Sequence, residues 1–341
     1  MIFERKSRKF QVVSGLFVRL VNILLFYKDF PSKNAPGSNE IKSILIFESD
    51  RIGDAIWCVP VIQKIMDKDP NMEVTIVTGK TGGKHVFKEM FPKLTCFEVP
   101  IPWQNKDIFS LSCWCNFLTT FHDIAKTKRF DASFDLRGDV RNIFFLSLFI
   151  SSKYLVSNSD ASNCKLLTHQ YDHLMEHPHM MLSKYAAVKS FFGLTDEELV
   201  RSAEVDQIRN KSHFVVNPGA SDPVRCMTEP EFSTIVNYCN RNDIKLTVLI
   251  PPDWDHNLIN FEAYGCQKLS LRLDEFFRTF PISNALYIGM DTGTSHLVCM
   301  LNQSSIIIHR YSKGYDQIAP LGFNTCFVQA TDSAFDINSY V

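Results

Sequence analysis

Two doubly wound α/β domains are what this sequence predicts, on three observations. Short β-branched runs alternate with helical stretches from residue 41 onward, and the same rhythm restarts after residue 211. At 341 residues the chain is also longer than one core usually supports, so two units of roughly 150 residues are the natural partition. An apolar share of 45% with 21% charged residues is ordinary globular composition. A formal net charge of -1 lacks the basic excess of a general nucleic-acid binder. The ten cysteines are scattered, with no Cys-x-x-Cys pair, which is the usage of a reducing compartment.

The first element is an apolar stretch, Phe10 to Phe26, read as FQVVSGLFVRLVNILLF and interrupted by Arg19. Its central charge argues against a spanning helix, and no small-residue cleavage site marks a secretory signal. Lys6, Arg8, Lys9 and Lys28 flank it, so an interfacial helix on an anionic cytoplasmic leaflet fits. A helix docked on the protein's own core is the alternative. Residues 31–39, PSKNAPGSN, read as a linker. The expected division is therefore a basic, amphipathic segment over 1–40, one domain over 41–195 and a second over 196–341.

Strands are predicted at Ser43–Glu48, Val74–Thr78, Thr95–Val99, Ala132–Leu136 and Tyr154–Ser157, each separated by a helical stretch. A long helix is expected from about His177 to Phe192, stopped by Gly193. In the second half HFVVNPG, KLTVLIP, ALYIGM and SSIIIH continue the pattern. Such alternation implies parallel sheets covered on both faces, with ligands bound beyond the carboxyl ends of the strands.

Three post-strand loops carry the chemistry. In ILIFESDRIGDAIWCVP, Gly53 permits a tight turn and Asp54 stands near the start of the next helix. Asp54 suits general-base work, or it complements the helix dipole at about 0.3–1 kcal/mol. Pro60 favours a later helix start, which would leave Asp54 in the loop. In GASDPVRCMTEPEF, Gly219, Ala220 and Ser221 can present backbone N–H groups, and Arg225 reads as an exposed cation suited to phosphate with no local task. Thr228 and Glu231 form a capping box. In DTGTSH, Thr292, Gly293 and Thr294 put N–H groups and hydroxyls at a helix start, a ready anion site, while Asp291 orients the loop or holds a sugar hydroxyl.

Other signals are set aside. GKTGGKH at 79–85 lacks the Gly-x-x-x-x-Gly-Lys-Ser/Thr spacing of a phosphate loop and reads as a turn before a helix. His169, His173 and His177 would align on a helix and offer zinc ligands, but Pro178 and the missing fourth ligand argue against a site. No Gly-x-Gly-x-x-Gly follows either first strand, which counts against a dehydrogenase.

RIGDAIWCVPVIQKI, VVNPGASDPVR and IGMDTGTSHL, in that order and separation, resemble the family 9 glycosyltransferases, the lipopolysaccharide heptosyltransferases. FDASFDLRGDVRN is similar to a further strand of that family. The likeness covers about residues 41–325. It implies a GT-B fold, two Rossmann-like domains facing a central cleft, with the acceptor on the N-terminal domain and a nucleotide-sugar donor on the C-terminal one. It implies Asp54 as general base of an inverting transfer. Gly219, Ala220, Ser221, Arg225, Asp291, Thr292, Gly293 and Thr294 then belong to the donor site. Arg51, Lys80, Lys84, Arg137 and Arg141 are placed to hold an anionic acceptor. The implied donor is ADP-heptose, with no metal and no further cofactor. The implied acceptor is a lipid-linked core glycan at the inner leaflet of the cytoplasmic membrane, with the enzyme peripheral and cytoplasmic. Arg225-Cys226-Met227-Thr228 stands where the family commonly reads Lys-x-Trp-Pro, and PPDWDHN stands where a Gly- and Glu-rich loop is expected. A GT-B enzyme using another nucleotide sugar, a nucleotide-sugar epimerase and a catalytically silent cleft-binding relative therefore remain as alternatives.

Overall fold

The computed structural model describes residues 41–49, 52–80, 82–103, 109–158, 164–171, 180–194, 211–220, 222–250, 259–310, 325–330 and 335–340, together with Arg19, Asn22 and Ile23. The chain divides into two compact units, Met1–Glu197 and Glu198–Val341. Most of the 10–26 stretch, the linker, and Asp50, Arg51 and Ser221 lie outside the described residues. Asn22 Oδ1 accepts a hydrogen bond from the Lys165 backbone N–H at 2.8 Å. Among the described residues no helix is long and apolar enough to cross a membrane.

Unit 1 runs β1 (Ser43–Glu48), α1 (Ile52–Lys68), β2 (Glu73–Gly79), α2 (Gly83–Met90), β3 (Thr95–Val99), α3 (Leu111–Thr127), β4 (Phe130–Asp135), α4 (Val140–Phe149), β5 (Ser152–Asn158), β6 (His169–Tyr171) and α5 (Met180–Phe192). Its strands lie in the order β3-β2-β1-β4-β5-β6, every neighbouring pair parallel. Side chains alternate across β1. Leu45 and Phe47 enter a core with Phe117 and Phe121 of α3 and Ile143 and Leu146 of α4. Ile44 and Ile46, equally buried, point to the opposite face, and so does Glu48. Phe134 of β4 meets Phe191 of α5 edge-on at 5.1 Å. Gly193 closes α5 with φ 61°, a left-handed residue that suits glycine.

Unit 2 runs β7 (His213–Asn217), α6 (Glu229–Arg241), β8 (Lys245–Leu249), β9 (Gln267–Leu269), α7 (Leu273–Thr279), β10 (Ala285–Met290), α8 (Gly293–Met300), β11 (Ser305–His309) and β12 (Thr325–Gln329). The order is β12-β11-β10-β7-β8-β9, again parallel throughout. Counted from its own first strand this repeats the arrangement of unit 1. In each unit the order reverses beside the first strand, between β1 and β4 and between β7 and β10. Those are the crevices where such sheets bind ligands. Within β10, a methyl group on Gly289 would fall 2.6 Å from the Tyr287 ring, so only glycine leaves that ring its place.

Three expectations are corrected. Asp54 is not in a loop: α1 starts at Ile52 and carries Pro60 inside it. A mid-helix proline costs about 3 kcal/mol. Buried Ile56, Val59, Val61, Ile62 and Ile65 each return about 1.5–3 kcal/mol, which settles the balance for a continuous helix. His169 sits in strand β6 rather than on a helix, so the proposed histidine alignment fails; His173 and His177 lie outside the described residues. β6, β9 and β12 were not expected; the first two are three residues long, too short for alternation to register.

Candidate functional site

In unit 1 the carboxyl edge of the sheet gathers acidic and basic groups on both faces. Asp54 lies half-buried in the first turn of α1. One turn further along α1 is Cys58, and Glu48, fully buried at the end of β1, accepts from the Cys58 thiol at 3.0 Å and from Lys184 Nζ of α5 at 2.5 Å. Burial alone would lower the Lys184 pKa; the Glu48 and Asp54 carboxylates, joined by Cys58 only where its thiol ionises, overcome it and hold the ammonium above the ordinary lysine range. Burial and the Glu48 charge raise the Cys58 thiol, which stays protonated and serves as a donor.

On the other face Asp135, buried at the end of β4, accepts from Asn142 Nδ2 at 2.9 Å, the Asp139 N–H at 2.9 Å and Ser157 Oγ at 3.0 Å. Its partners are all neutral. Burial therefore dominates and pushes its pKa up to about 7, with the Asp139 and Glu48 charges adding to the rise. Asp139 caps α4 and receives Arg141 through Nε at 2.9 Å and NH2 at 2.5 Å. Burial opposes ionisation there as well, but the Arg141 contacts outweigh it and hold Asp139 below the usual carboxylate range. Arg141 also lies over the Trp103 ring at 5.6 Å. Of the cations expected to meet an acceptor, Arg141 is thus already committed to Asp139 and Trp103. Arg137 is half-buried, and desolvation lowers its pKa against the pull of Asp139 and Glu48. Lys80 is exposed just past β2, and Lys84 stands in the first turn of α2, both at the same sheet edge as Asp54. Arg51 lies outside the described residues.

In unit 2 the described residues of the loop after β7 are tied by hydrogen bonds among themselves. Asn217 Oδ1 accepts from the Gly219 N–H at 3.2 Å, and the Ala220 N–H points to Cys226 Sγ at 3.3 Å. Those two amides are engaged within the loop. Asp222 caps the short 3-10 turn Pro223–Arg225, and Met227 N–H returns to Pro218 O at 2.9 Å. The turn delivers Arg225 to the carboxyl end of β10. There its NH2 donates to the Asp291 backbone oxygen and lies 3.8 Å from Asp291 Oδ2. Arg225 is thus not the idle cation the sequence suggests.

Asp291 is buried and accepts from His309 Nδ1 at 3.0 Å, with His296 Nε2 at 3.4 Å. Burial would raise its pKa; the two histidines reverse this and hold the carboxyl far below the usual carboxylate range. Thr292 caps α8, its hydroxyl accepting from the Ser295 N–H at 3.5 Å. The first-turn N–H groups of Gly293 and Thr294 have no intrahelical acceptor by helix geometry and point toward the crevice end of the sheet. The capping box is present, and Glu231 takes in addition Arg310 and the Phe335 N–H at 2.8 Å, tying the last described residues to α6.

Sequence reasoning missed Glu48, Lys184, Asp135, His296 and His309. A signal existed for two of them. Lys184 stands in a mostly apolar stretch of its helix, MMLSKYAAV, and Glu48 ends a strand whose other residues are apolar apart from Ser43. Among the described residues no group of three His, Cys, Asp or Glu side chains is disposed to hold a metal ion.

No protein-family model matches the chain, and no curated protein matches it by sequence. Solved structures do. Escherichia coli heptosyltransferase WaaC with ADP matches at 13% identity and TM-score 0.67, over 84% of this chain and 93% of that one. A family 9 glycosyltransferase from Veillonella parvula matches at 13% identity and TM-score 0.68, over 89% and 90%. E. coli ADP-heptose lipopolysaccharide heptosyltransferase II matches at 13% identity and TM-score 0.64, over 88% and 94%. The chain thus has the two-domain GT-B fold of these enzymes.

Proposed function

We propose that the protein is an inverting glycosyltransferase that moves a sugar, in the first instance a heptose from ADP-heptose, onto a lipopolysaccharide or lipooligosaccharide core acceptor. The observation that carries this reading is Arg225, delivered by the capped 3-10 turn Pro223–Arg225 to the β7/β10 crevice and held there against Asp291, beside the start of α8. A guanidinium and helix N–H groups at one crevice suit the diphosphate of a nucleotide sugar. The heptosyltransferases that share the fold, one of them solved with ADP, make that donor class the first to test.

In this reading an acceptor hydroxyl attacks the anomeric carbon from the face opposite the nucleotide. Asp54 takes the hydroxyl proton as the new C–O bond forms. The bond to the diphosphate breaks with its electron pair on the leaving oxygen, and configuration inverts. Arg225 and the α8 start stabilise that developing charge, the largest single electrostatic demand of the step. General-base action is typically worth 10²–10⁴ in rate.

Nucleotide protection against thermal unfolding, followed by turnover assays, tests the reading. ADP and ADP-heptose should raise the unfolding temperature of the parent protein. Arg225→Ala should weaken nucleotide binding by about 1.5–3 kcal/mol, the range for a hydrogen bond to a charged group. Asp54→Asn should lower turnover by about 10² or more with nucleotide affinity unchanged. Protection by uridine nucleotides alone would replace the donor, and full turnover in Asp54→Asn would remove the base.

A further inference from the structure

We propose that Lys184 is a positioning residue for Asp54: one ammonium, clamped by Glu48 against the α1 face that carries Asp54 and Cys58, sets how the Asp54 carboxylate is oriented and charged. The proposal rests on the reading of Asp54 as the base of the transfer. Asp54 and Cys58 are four residues apart on α1 and so share one face of the helix. The Cys58 thiol reaches Glu48 Oε2 at 3.0 Å, and the same oxygen receives Lys184 Nζ at 2.5 Å. The ammonium is therefore packed against the stripe that carries Asp54.

Its burial makes a purely structural account weak. Lys184 is 1% exposed and Glu48 0%. Two apolar side chains of that volume would fill the same space without desolvating two ions, and such exchanges are often neutral or stabilising. This pair sits at the end of β1, where the strand order reverses, and Lys184 lies within electrostatic reach of the residue read as the base. Glu48 balances most of the lysine's charge, so Asp54 feels a cation moderated by an anion. The groups that face this cluster are Asp54 and Cys58 from α1 and Glu48 from β1; Asp135 of β4 and Arg137 act on Glu48 from the neighbouring strand end.

The arrangement predicts opposite signs for its two halves. Lys184→Met removes the cation and leaves the Glu48 anion, so the titration midpoint of Asp54 should rise by about one pH unit. Glu48→Gln removes the anion and leaves the cation, so the midpoint should fall. Carboxyl-carbon NMR of aspartate-labelled full-length protein reads the midpoint without any assay, with Asp54→Asn identifying the signal. The acidic limb of the kcat/KM profile should move with it in each variant. A purely structural role predicts loss of folding in Lys184→Met and a stationary midpoint in Glu48→Gln. Glu48→Gln keeps the test open if Lys184→Met does not fold, because Lys184 still has Asp54 as a neighbour. A midpoint that stays fixed in Glu48→Gln, or moves the same way in both variants, overturns the proposal even if Asp54→Asn is inactive. A midpoint that moves as expected while Asp54→Asn turns over normally removes the base instead.

Discussion

The β1/β4 crevice of unit 1 and the β7/β10 crevice of unit 2 occupy the same place in the same strand order, yet they treat a buried aspartate in opposite ways. Asp135 ends β4 among an asparagine, a serine and a backbone N–H, and its pKa climbs to about 7. Asp291 follows β10 among two histidines and an arginine, and its carboxyl is held far below the usual range. Topology decides where a crevice forms. The partners of each side chain decide what charge stands in it. One crevice thereby holds a buried carboxyl inclined to keep its proton, and the other fixes a permanent cation.

The largest expected effect breaks the comparison from the side of unit 2. Asp291→Ala leaves Arg225, His296 and His309 gathered in a buried place without their anion. Breaking a buried ion pair by removing one partner costs about 3–5 kcal/mol. Asp135→Asn, which exchanges a largely neutral acid for a neutral amide among neutral donors, should cost less than about 1.5 kcal/mol at pH 6. Denaturant unfolding of both variants measures the gap. Equal losses would show that the two aspartates play the same structural part.

A smaller effect concerns pH. The folded pKa of Asp135 lies above its unfolded value, so the stability this group contributes is fully present below about pH 4 and is lost as pH rises to about 7. Asp135→Asn cannot titrate, and its stability relative to the parent should improve by about 1–3 kcal/mol between pH 5 and pH 8. Asp291 has the opposite sign: its folded pKa is depressed, so its contribution is present above about pH 4 and is lost on further acidification. Parallel pH series on Asp135→Asn and Asp291→Asn should slope in opposite directions, and parallel slopes would contradict the assignment of charges.

The fold and half of this contrast were legible in the sequence. β1 is legible at its observed bounds because a buried parallel strand is a continuous apolar run with a polar stop, whereas β3, TCFEV at the sheet edge, shows only a short β-prone run. The Arg225 and Asp291 loops were found because Gly, Thr and charged residues crowd after such strands. What could not be read is which charges meet. Arg225 and Asp291 are 66 residues apart in the chain, and Lys184 and Glu48 are 136 apart. Only the closing of α5 and of the β7 loop onto the strand ends brings them together. The start of α1 was misjudged because a proline's local cost is visible in a sequence, while the burial that outweighs it is a property of the packed helix.

The smallest expected effect sharpens the contrast on the acceptor side of unit 1. Arg141 is bound to Asp139 in a two-point contact and lies over Trp103, whereas Lys80 stands exposed past β2. An exposed lysine away from packed features contributes within about 0.5 kcal/mol to stability, so Lys80→Ala should leave the unfolding curve where it is. Arg141→Ala, by contrast, removes the cation from a buried carboxylate and should destabilise unit 1 measurably. If Lys80 meets an anionic acceptor, its removal should raise KM for that acceptor several-fold with kcat unchanged, because a distant charge binds ground and transition state alike. The effect should fade as ionic strength rises past 0.1 M, where the screening length is about 10 Å. A kcat that falls with KM constant would instead put Lys80 at the reacting centre. A KM that does not move at low salt would return it to the solvated surface.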